Sequence, residues 1–304
     1  MTARSNQTPA IDTTNLTKYY GRSRGIENLS LRVDCGEVFG FLGPNGAGKT
    51  TTIRLLLDLI RPSSGQGLVL GLDTHQDSLE VRRRTSYLPG ELKLPERRTA
   101  GQFLSFLSRI RGEEKPREIE QLADRIGLEL DRSIGDLSKG NKQKVGVVAA
   151  FMHDAELLIL DEPTSGLDPL RQQDVLDLIQ ERTASGRTVF LSSHELDQVA
   201  HVAHRVGIIR NGRLIAVEEV ATLRHRALRR VEVRFAGEVT VSRLDKIKGV
   251  RDVSVADGVV RLHMQGPMDP LIKELARYPV QTLTSEEPDL DEIFLAYYGR
   301  AHGD

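Results

Sequence analysis

Unbroken apolar runs, separated by stretches with helical spacing, recur through the first two thirds of the chain. Val38–Leu42, Leu157–Leu160 and Val189–Leu191 are the clearest of them. Such runs predict strands of a parallel sheet buried on both faces, because a strand with one wet face would alternate. The first run leads into GPNGAGKT at 43–50 and then into KTTTIRLLLDLI, where Ile53, Leu56, Leu57 and Ile60 recur at helical spacing. That spacing predicts a helix over 49–60, with Pro62 and Gly65 as punctuation beyond its end. Residues 91–150 read as mainly helical, with Phe103, Leu104 and Leu107 on one face and the charged stretch GEEKPREIEQLADRIG after it. Strand–helix alternation returns over 151–220, so the expected class is α/β.

The pattern breaks at TLRHRALRR, around 221–230, which reads as a connection. Beyond it VEVRF alternates as a strand and VSRLDKIKG (241–249) reads as a helix. VRDVSVADGVVRLHM reads as a hairpin with Asp257-Gly258 at its turn. PLIKELARY reads as a helix, VQTLTS as a strand, and LDEIFLAYYG (290–299) as a last amphipathic helix. The order β-α-β-β-α-β predicts a small α+β, ferredoxin-like layer. Two domains are therefore expected, at 10–225 and 226–304, the first carrying a helical subdomain at about 91–150.

A glycine turn ending in Gly-Lys-Thr, placed between a strand and a helix, is the sequence form of a nucleoside-triphosphate site. Gly43, Gly46 and Gly48, with Asn45 in the same loop, let backbone N–H groups approach phosphate oxygens. The next helix adds its positive N-terminal dipole. Lys49 is positioned to reach the β- and γ-phosphates, the Thr50 hydroxyl to ligate Mg²⁺, and Thr51 to add a phosphate hydrogen bond. Asp161 ends the apolar run 157–160, at the sheet edge where open α/β folds bind ligands, and is the second Mg²⁺ candidate. Glu162 is the next residue, a carboxylate able to orient a water for in-line attack.

Further motifs narrow this chemistry. Leu137-Ser138-Lys139-Gly140-Asn141 precedes a helix-like stretch, Ser165-Gly166-Leu167-Asp168 comes closely after Glu162, and Ser192-Ser193-His194 comes after Val189–Leu191. In this order, over about residues 10–220, they resemble the ATP-binding subunits of ABC transporters, with a P-loop NTPase fold. The resemblance implies that Tyr20 stacks on adenine, with Tyr19 as the neighbouring alternative. It implies that Ser138, Gly140 and Asn141 grip the γ-phosphate held by an opposite subunit, that Asp168 links the two sites, and that His194 contacts the γ-phosphate. Read without the family, Ser138 and Asp168 equally suit helix caps. Two positions depart from the family: Gly90 stands where a glutamine is usual, in Tyr87-Leu88-Pro89-Gly90-Glu91, and LSKGN replaces an LSGGQ-like segment. The C-terminal pattern and its DEIFLAYYG tail resemble the extension on ATPase subunits of drug- and antibiotic-export systems.

The resemblance therefore implies an ATP hydrolase that uses ATP and Mg²⁺. It implies a homodimer driving export through a separate integral membrane permease, at the cytoplasmic face of the cell membrane. An importer subunit and a soluble ATPase with a non-membrane partner are the alternatives. Composition changes this picture little. The 42 basic and 43 acidic residues nearly cancel, which gives no whole-chain reason to expect nucleic acid as a partner. Basic runs at Arg82–Arg84 and Arg224–Arg230 read as solvated faces or as contacts with a membrane partner. Cys35 is the single cysteine, so no intrachain disulfide is expected. No apolar stretch approaches the roughly 18–20 residues that span a bilayer, and the N-terminus has no apolar core of the secretory kind.

Overall fold

The computed structural model describes residues 8–226, 228–237 and 243–286. They fall into two compact units, one running through Val217 and the other beginning at Glu218.

The first unit holds two sheets. The smaller is built from β1 (Ile11–Tyr20), β2 (Ser23–Val33), β4 (Ser64–Val69) and β5 (Leu72–Asp73), in the order β2-β1-β4-β5. The larger contains β3 (Val38–Leu42), β6 (Thr85–Leu88), β7 (Leu157–Asp161), β8 (Thr188–Ser193), β9 (Arg205–Arg210) and β10 (Arg213–Glu219). Its order is β10-β9-β3-β8-β7-β6, and the neighbours from β9 to β6 are parallel. Every residue of β3, β7 and β8 is buried, as the unbroken apolar runs predict. β10 closes the edge through a two-residue turn, Asn211-Gly212, with φ of 48° and 76°. Two successive left-handed residues match the twist of a tight hairpin.

Helix α1 (Lys49–Leu56) joins the sheets. Its Ile53 and Leu56 share one core with Ile11, Leu29 and Val69 of the smaller sheet and with Phe39, Phe41, Leu157 and Phe190 of the larger. Phe190 lies between two rings, stacked on Phe39 at 5.9 Å and tilted against Phe41 at 5.4 Å. The helix is shorter than its apolar spacing predicts. Asp58 turns left-handed (φ 54°), its N–H bonds the Leu55 carbonyl at 3.1 Å, and the Leu59 N–H bonds the Arg54 carbonyl at 2.8 Å. This pair of backward bonds terminates the helix, and Leu59 is left exposed.

The stretch 91–150 is helical as expected. It forms α3 (Ala100–Ile110), α4 (Pro116–Ile126) and α5 (Lys139–Phe151), after a short α2 (Ser78–Arg84). Thr99 and Gln102 cap α3 reciprocally, side chain to backbone. Arg84, from the basic run of α2, pairs with Glu156 through two bonds of 2.6 and 2.7 Å, and Arg82 donates to the Leu57 carbonyl. Arg83 lies 3.8 Å from Glu80, so all three arginines make contacts within the unit. α6 (Pro169–Ala184) and α7 (Leu196–Ala200) complete the alternation.

The second unit opens with α8 (Val220–Arg226), a helix where the sequence reads as a plain connection. β11 (Arg229–Phe235), β12 (Val250–Ala256), β13 (Val259–Met264), α9 (Asp269–Leu275) and β14 (Val280–Ser285) come next. The sheet runs β12-β13-β11-β14, and each neighbouring pair is antiparallel. Asp257-Gly258 makes the expected hairpin turn, with φ of 52° and 72°. The helix expected at 241–249 differs. Its described part opens on one 3₁₀ residue, Arg243, and continues as turns, closed by the Ile247 N–H on the Leu244 carbonyl and the Val250 N–H on the Ile247 carbonyl. Leu244 there is fully buried against Val231, Val233 and Leu262, and Ile247 packs half-buried on the same core. The expected last helix, 290–299, lies outside the described residues.

Replacing Phe190 with alanine removes a ring from the centre of the first core. We expect a loss of about 3–5 kcal/mol in unfolding free energy, read from the urea unfolding curve of the first unit.

Candidate nucleotide site

The geometry begins with strand register. β3 pairs with β8, Leu42 against Ser193, and β8 pairs with β7, Ser192 against Asp161. Three parallel strands therefore end together, and the loops that leave them meet at one edge of the sheet. The loop after β3 is pinned there by the Gly43 N–H, which donates to the Ser193 carbonyl at 3.3 Å. Gly48 precedes α1 with φ of 113°, and a Cβ at that residue would lie 2.9 Å from the Gly25 carbonyl oxygen. Glycine is thus required twice over, by torsion and by space.

Lys49 is 6% exposed, and its ammonium is held by the loop itself. It donates to the carbonyls of Gly43 (2.6 Å) and Pro44 (3.4 Å) and lies 3.2 Å from Glu162 Oε1. The Thr50 hydroxyl donates to Asp161 Oδ2 at 2.8 Å, and the Ser192 hydroxyl donates to Asp161 Oδ1. Asp161 is 1% exposed, so both of its oxygens are committed inside the protein. Beside it, burial and the Asp161 carboxylate push the Tyr87 phenol up to about 12, which keeps that hydroxyl neutral.

Glu162 adopts a left-handed backbone, φ 53°, a conformation that costs a non-glycine residue about 1–3 kcal/mol. Three bonds hold it there. The Glu162 N–H donates to the Ser192 carbonyl at 3.1 Å, the Ser165 N–H donates to the Glu162 carbonyl at 3.2 Å, and the Gln143 amide reaches the same carbonyl at 3.2 Å. The turn aims the side chain back over the phosphate loop. Oε2 lies 2.9 Å from His194 Nδ1. A carboxylate only accepts, so Nδ1 carries the hydrogen. Oε1 is buried and makes no hydrogen bond; the Lys49 ammonium is near it but not aligned as a donor.

Lys49, Thr50, Asp161 and Glu162 open onto a cavity of about 430 Å³, which Pro44, Asn45, Gly46, Gly48 and Thr51 also line and His194 does not. Asp161 and Glu162 form one wall, Gly90 and Glu91 another, and Tyr20, Arg24 and Gly25 a third. Tyr20 is 47% exposed with its ring facing Lys18, whereas the Tyr19 hydroxyl is tied to Glu27 at 2.9 Å. Of the two tyrosines, only Tyr20 lines the cavity.

The other predicted residues lie elsewhere. Ser138 caps α5, accepting from the Asn141 N–H at 3.3 Å, and Asp168 caps α6, accepting from the Arg171 N–H at 3.1 Å. A Cβ on Gly140 would stand 2.5 Å from the Gly166 carbonyl oxygen, so the LSKGN and SGLD segments touch each other. Neither segment lines the cavity.

The family model described as ABC transporter matches residues 26–165. Across 298 residues the chain is 34% identical to the bacitracin transport ATP-binding protein BcrA of Bacillus licheniformis, covering 95% of this chain and 97% of that protein. The chain belongs to the ABC transporter family, among its ATP-binding subunits. The daunorubicin/doxorubicin resistance ATP-binding protein DrrA of Streptomyces peucetius is 32% identical over 318 residues, covering 98% of this chain and 94% of that protein. A solved ATP-binding subunit of an ABC transporter superposes with a TM-score of 0.65 at 31% identity, over 71% of this chain and 92% of that one. ATP is therefore the nucleotide of this ABC subunit, and the chain is an ATPase.

Two supports of the ABC site escape a reading of the sequence. Ser192 sits in a serine pair beside His194, but only the strand register shows that its hydroxyl meets Asp161. Gln143 lies in mid-helix with nothing nearby in sequence to mark it. Its buried Nε2 bonds the carbonyls of both Glu162 and Pro163, at 3.2 and 3.1 Å. Gln143→Ala strands the Pro163 carbonyl and leaves the Glu162 carbonyl only its bond from the Ser165 N–H, which loosens the Glu162 turn. We expect about 1–3 kcal/mol of destabilisation and a fall in kcat with KM for ATP little changed, measured by steady-state ATPase assay.

Proposed function

We propose that this chain is the ATPase subunit of an exporter, in which two copies close around two ATP and drive a separate membrane-embedded permease. The observation that carries the reading is the division of the site. Thr50 bonds Asp161, and Lys49 and His194 converge on the adjacent Glu162, while the LSKGN segment sits away from the cavity as an exposed helix start. Each chain offers a phosphate loop and, elsewhere, a second anion-binding element for its partner's γ-phosphate. ATP then favours the closed pair because it binds that state more tightly, and its hydrolysis releases the pair.

Within each site, Lys49 exchanges loop carbonyls for phosphate oxygens. Asn45, Gly46, Gly48 and Thr51 contribute to the phosphate cradle, and Tyr20 stacks on the base. Glu162 orients a water and accepts its proton as the oxygen attacks the γ-phosphorus, while the bond to the ADP oxygen breaks. His194 holds Glu162 in that rotamer and reaches the γ-phosphate. Asp168 links the two sites. Thr50 and Asp161 are a pair of hard oxygen donors already 2.8 Å apart, which suits Mg²⁺. When bound, Mg²⁺ neutralises phosphate charge at that position.

Export is supported by relatives matched over nearly their full length, whose names concern bacitracin transport and daunorubicin/doxorubicin resistance. Among the described residues no helix is long and apolar enough to cross a membrane. In this reading a separate chain supplies the permease, and the ATPase subunit docks on its cytoplasmic face. We assign ATP binding to residues 10–225 and a ferredoxin-like accessory role to 226–304. The strand order β12-β13-β11-β14 supports the latter.

Glu162→Gln keeps the shape and removes the base. Turnover is expected to fall by about a hundredfold or more, with ATP still bound and the subunit running as a dimer in ATP by size-exclusion chromatography with light scattering. Pulled from solubilised host membranes, the same variant is expected to bring down a multi-span protein without a solute-binding protein. Wild-type turnover in the variant would end the assignment of Glu162. Recovery of a solute-binding protein would replace export by import.

A further inference from the structure

The phosphate loop is pinned at two points. The Gly43 N–H holds its start to β8, and the Ala47 carbonyl accepts from the Gly212 N–H of the β9–β10 turn at 2.9 Å. We propose that the ion pair between Glu27 and Arg213 is a positioning device for this loop, holding the turn against Ala47 so that the loop is set before ATP arrives. The inference rests on the assignment of residues 43–50 to the triphosphate and adds two residues to it, neither of which lines the cavity.

Three observations carry it. First, the turn is wedged between β2 and the loop. The Gly212 carbonyl accepts from the Glu27 N–H at 2.8 Å, and a Cβ on Gly212 would stand 2.8 Å from the Gly25 carbonyl oxygen and 3.1 Å from the Ile26 Cα. Second, β10 is fastened beside that turn by charge. Arg213 Nε and Nη2 donate to Glu27 Oε2 at 3.0 and 2.8 Å. Arg24 Nη1 reaches the same oxygen at 3.2 Å, and the Tyr19 hydroxyl donates to Oε1 at 2.9 Å. The Arg213, Tyr19 and Arg24 donors hold the Glu27 carboxyl below the usual carboxylate range, so it is ionised at neutral pH. Third, the stretch between the two pins is open. Pro44, Asn45 and Gly46 are exposed, whereas Ala47 is buried. The Ala47 N–H closes the loop on the Pro44 carbonyl at 3.1 Å, so fixing Ala47 fixes the shape of the loop.

Backbone N–H groups hold phosphate best when they are aimed in advance, because aiming them on binding costs conformational entropy. Without the ion pair the turn keeps its backbone bonds but loses the charge that clamps it to β2, and Ala47 gains freedom. The effect falls on binding and not on the chemical step, because Asp161 and Glu162 are held by Thr50, Ser192 and Gln143 from other elements. Loss of uniform binding raises KM and leaves kcat. Inorganic triphosphate, which has neither base nor ribose, isolates the loop from the wall formed by Tyr20 and Arg24.

The test compares the full chain with Glu27→Gln, Arg213→Gln and the double variant. Steady-state assays give kcat, KM for ATP and the inhibition constant of inorganic triphosphate, and thermal melts report the fold. Each single variant is expected to raise both KM and the triphosphate constant by about threefold, the scale of a partly exposed ion pair, with kcat and melting temperature little changed. The double variant is expected to lose no more than either single one, because both remove the same pair. Unchanged triphosphate inhibition, additive losses in the double variant, or a fall in kcat alone overturns the role of the pair. Calorimetry with Lys49→Ala separates this role from the loop assignment beneath it. If Lys49→Ala binds ATP as the intact chain does, the loop assignment fails and the role of the pair falls with it. If it loses ATP while the Glu27 and Arg213 variants behave as the intact chain, the loop assignment stands and the pair alone fails.

Discussion

The first unit depends on a carboxylate placed where it is hard to keep. Asp161 ends strand β7 with only 1% exposure, and a buried charge costs several kcal/mol unless its lone pairs are met. Thr50, from the first turn of α1, meets one oxygen, and Ser192, from the end of β8, meets the other. These two hydroxyls join the phosphate-loop helix and two adjacent strands at a single point. Their alignment requires the parallel register of β3, β8 and β7, and that register is fixed by strands that are apolar on both faces.

The same register explains the conformation of the next residue. With Asp161 fixed, Glu162 must leave the strand sharply, and it does so through a left-handed turn held by Ser192, Ser165 and Gln143. Strain concentrated at one residue and supported by several others is a common signature of a working site. It directs a carboxylate over the phosphate loop, where Lys49 and His194 converge on it. Gln143 belongs to α5, whose N-terminus carries LSKGN. One helix thus connects the turn that positions Glu162 with the segment assigned to the partner's nucleotide. A displacement of α5 would be felt at Glu162, which gives a physical route from closure of a pair to catalysis.

The capping segments show how one geometry serves two readings. Ser138 and Asp168 cap helices within the chain, with bonds of 3.3 and 3.1 Å. The capping bonds fix the helix starts, and in the proposed pair those same starts would face the partner's nucleotide. A purely local account and a role across two subunits therefore do not compete. The contact of Gly140 with the Gly166 carbonyl couples the LSKGN and SGLD segments, and no residue with a Cβ would fit there.

Much of this is legible in the chain itself. The order of strands and helices in the first unit, the phosphate loop, Asp161, Glu162 and the LSKGN segment stem from local patterns, because each is a contiguous run with its own steric or electrostatic reason. The choice of Tyr20 over Tyr19 is not decidable that way, since adjacent strand residues differ only in the face they reach. The ends of elements are also illegible: α1 stops early because Asp58 accepts a left-handed turn, α8 forms in place of a plain connection, and 244–249 forms turns in place of the expected helix. Ser192 and Gln143 belong to tertiary structure alone. The sequence determined which residue types and local shapes were available for nucleotide chemistry, because glycine torsions, apolar periodicity and helix starts act over a few residues. Only the tertiary structure decided which of those groups share a hydrogen bond, because a hydrogen bond requires about 3 Å between atoms that strand register and helix packing bring together from distant parts of the chain.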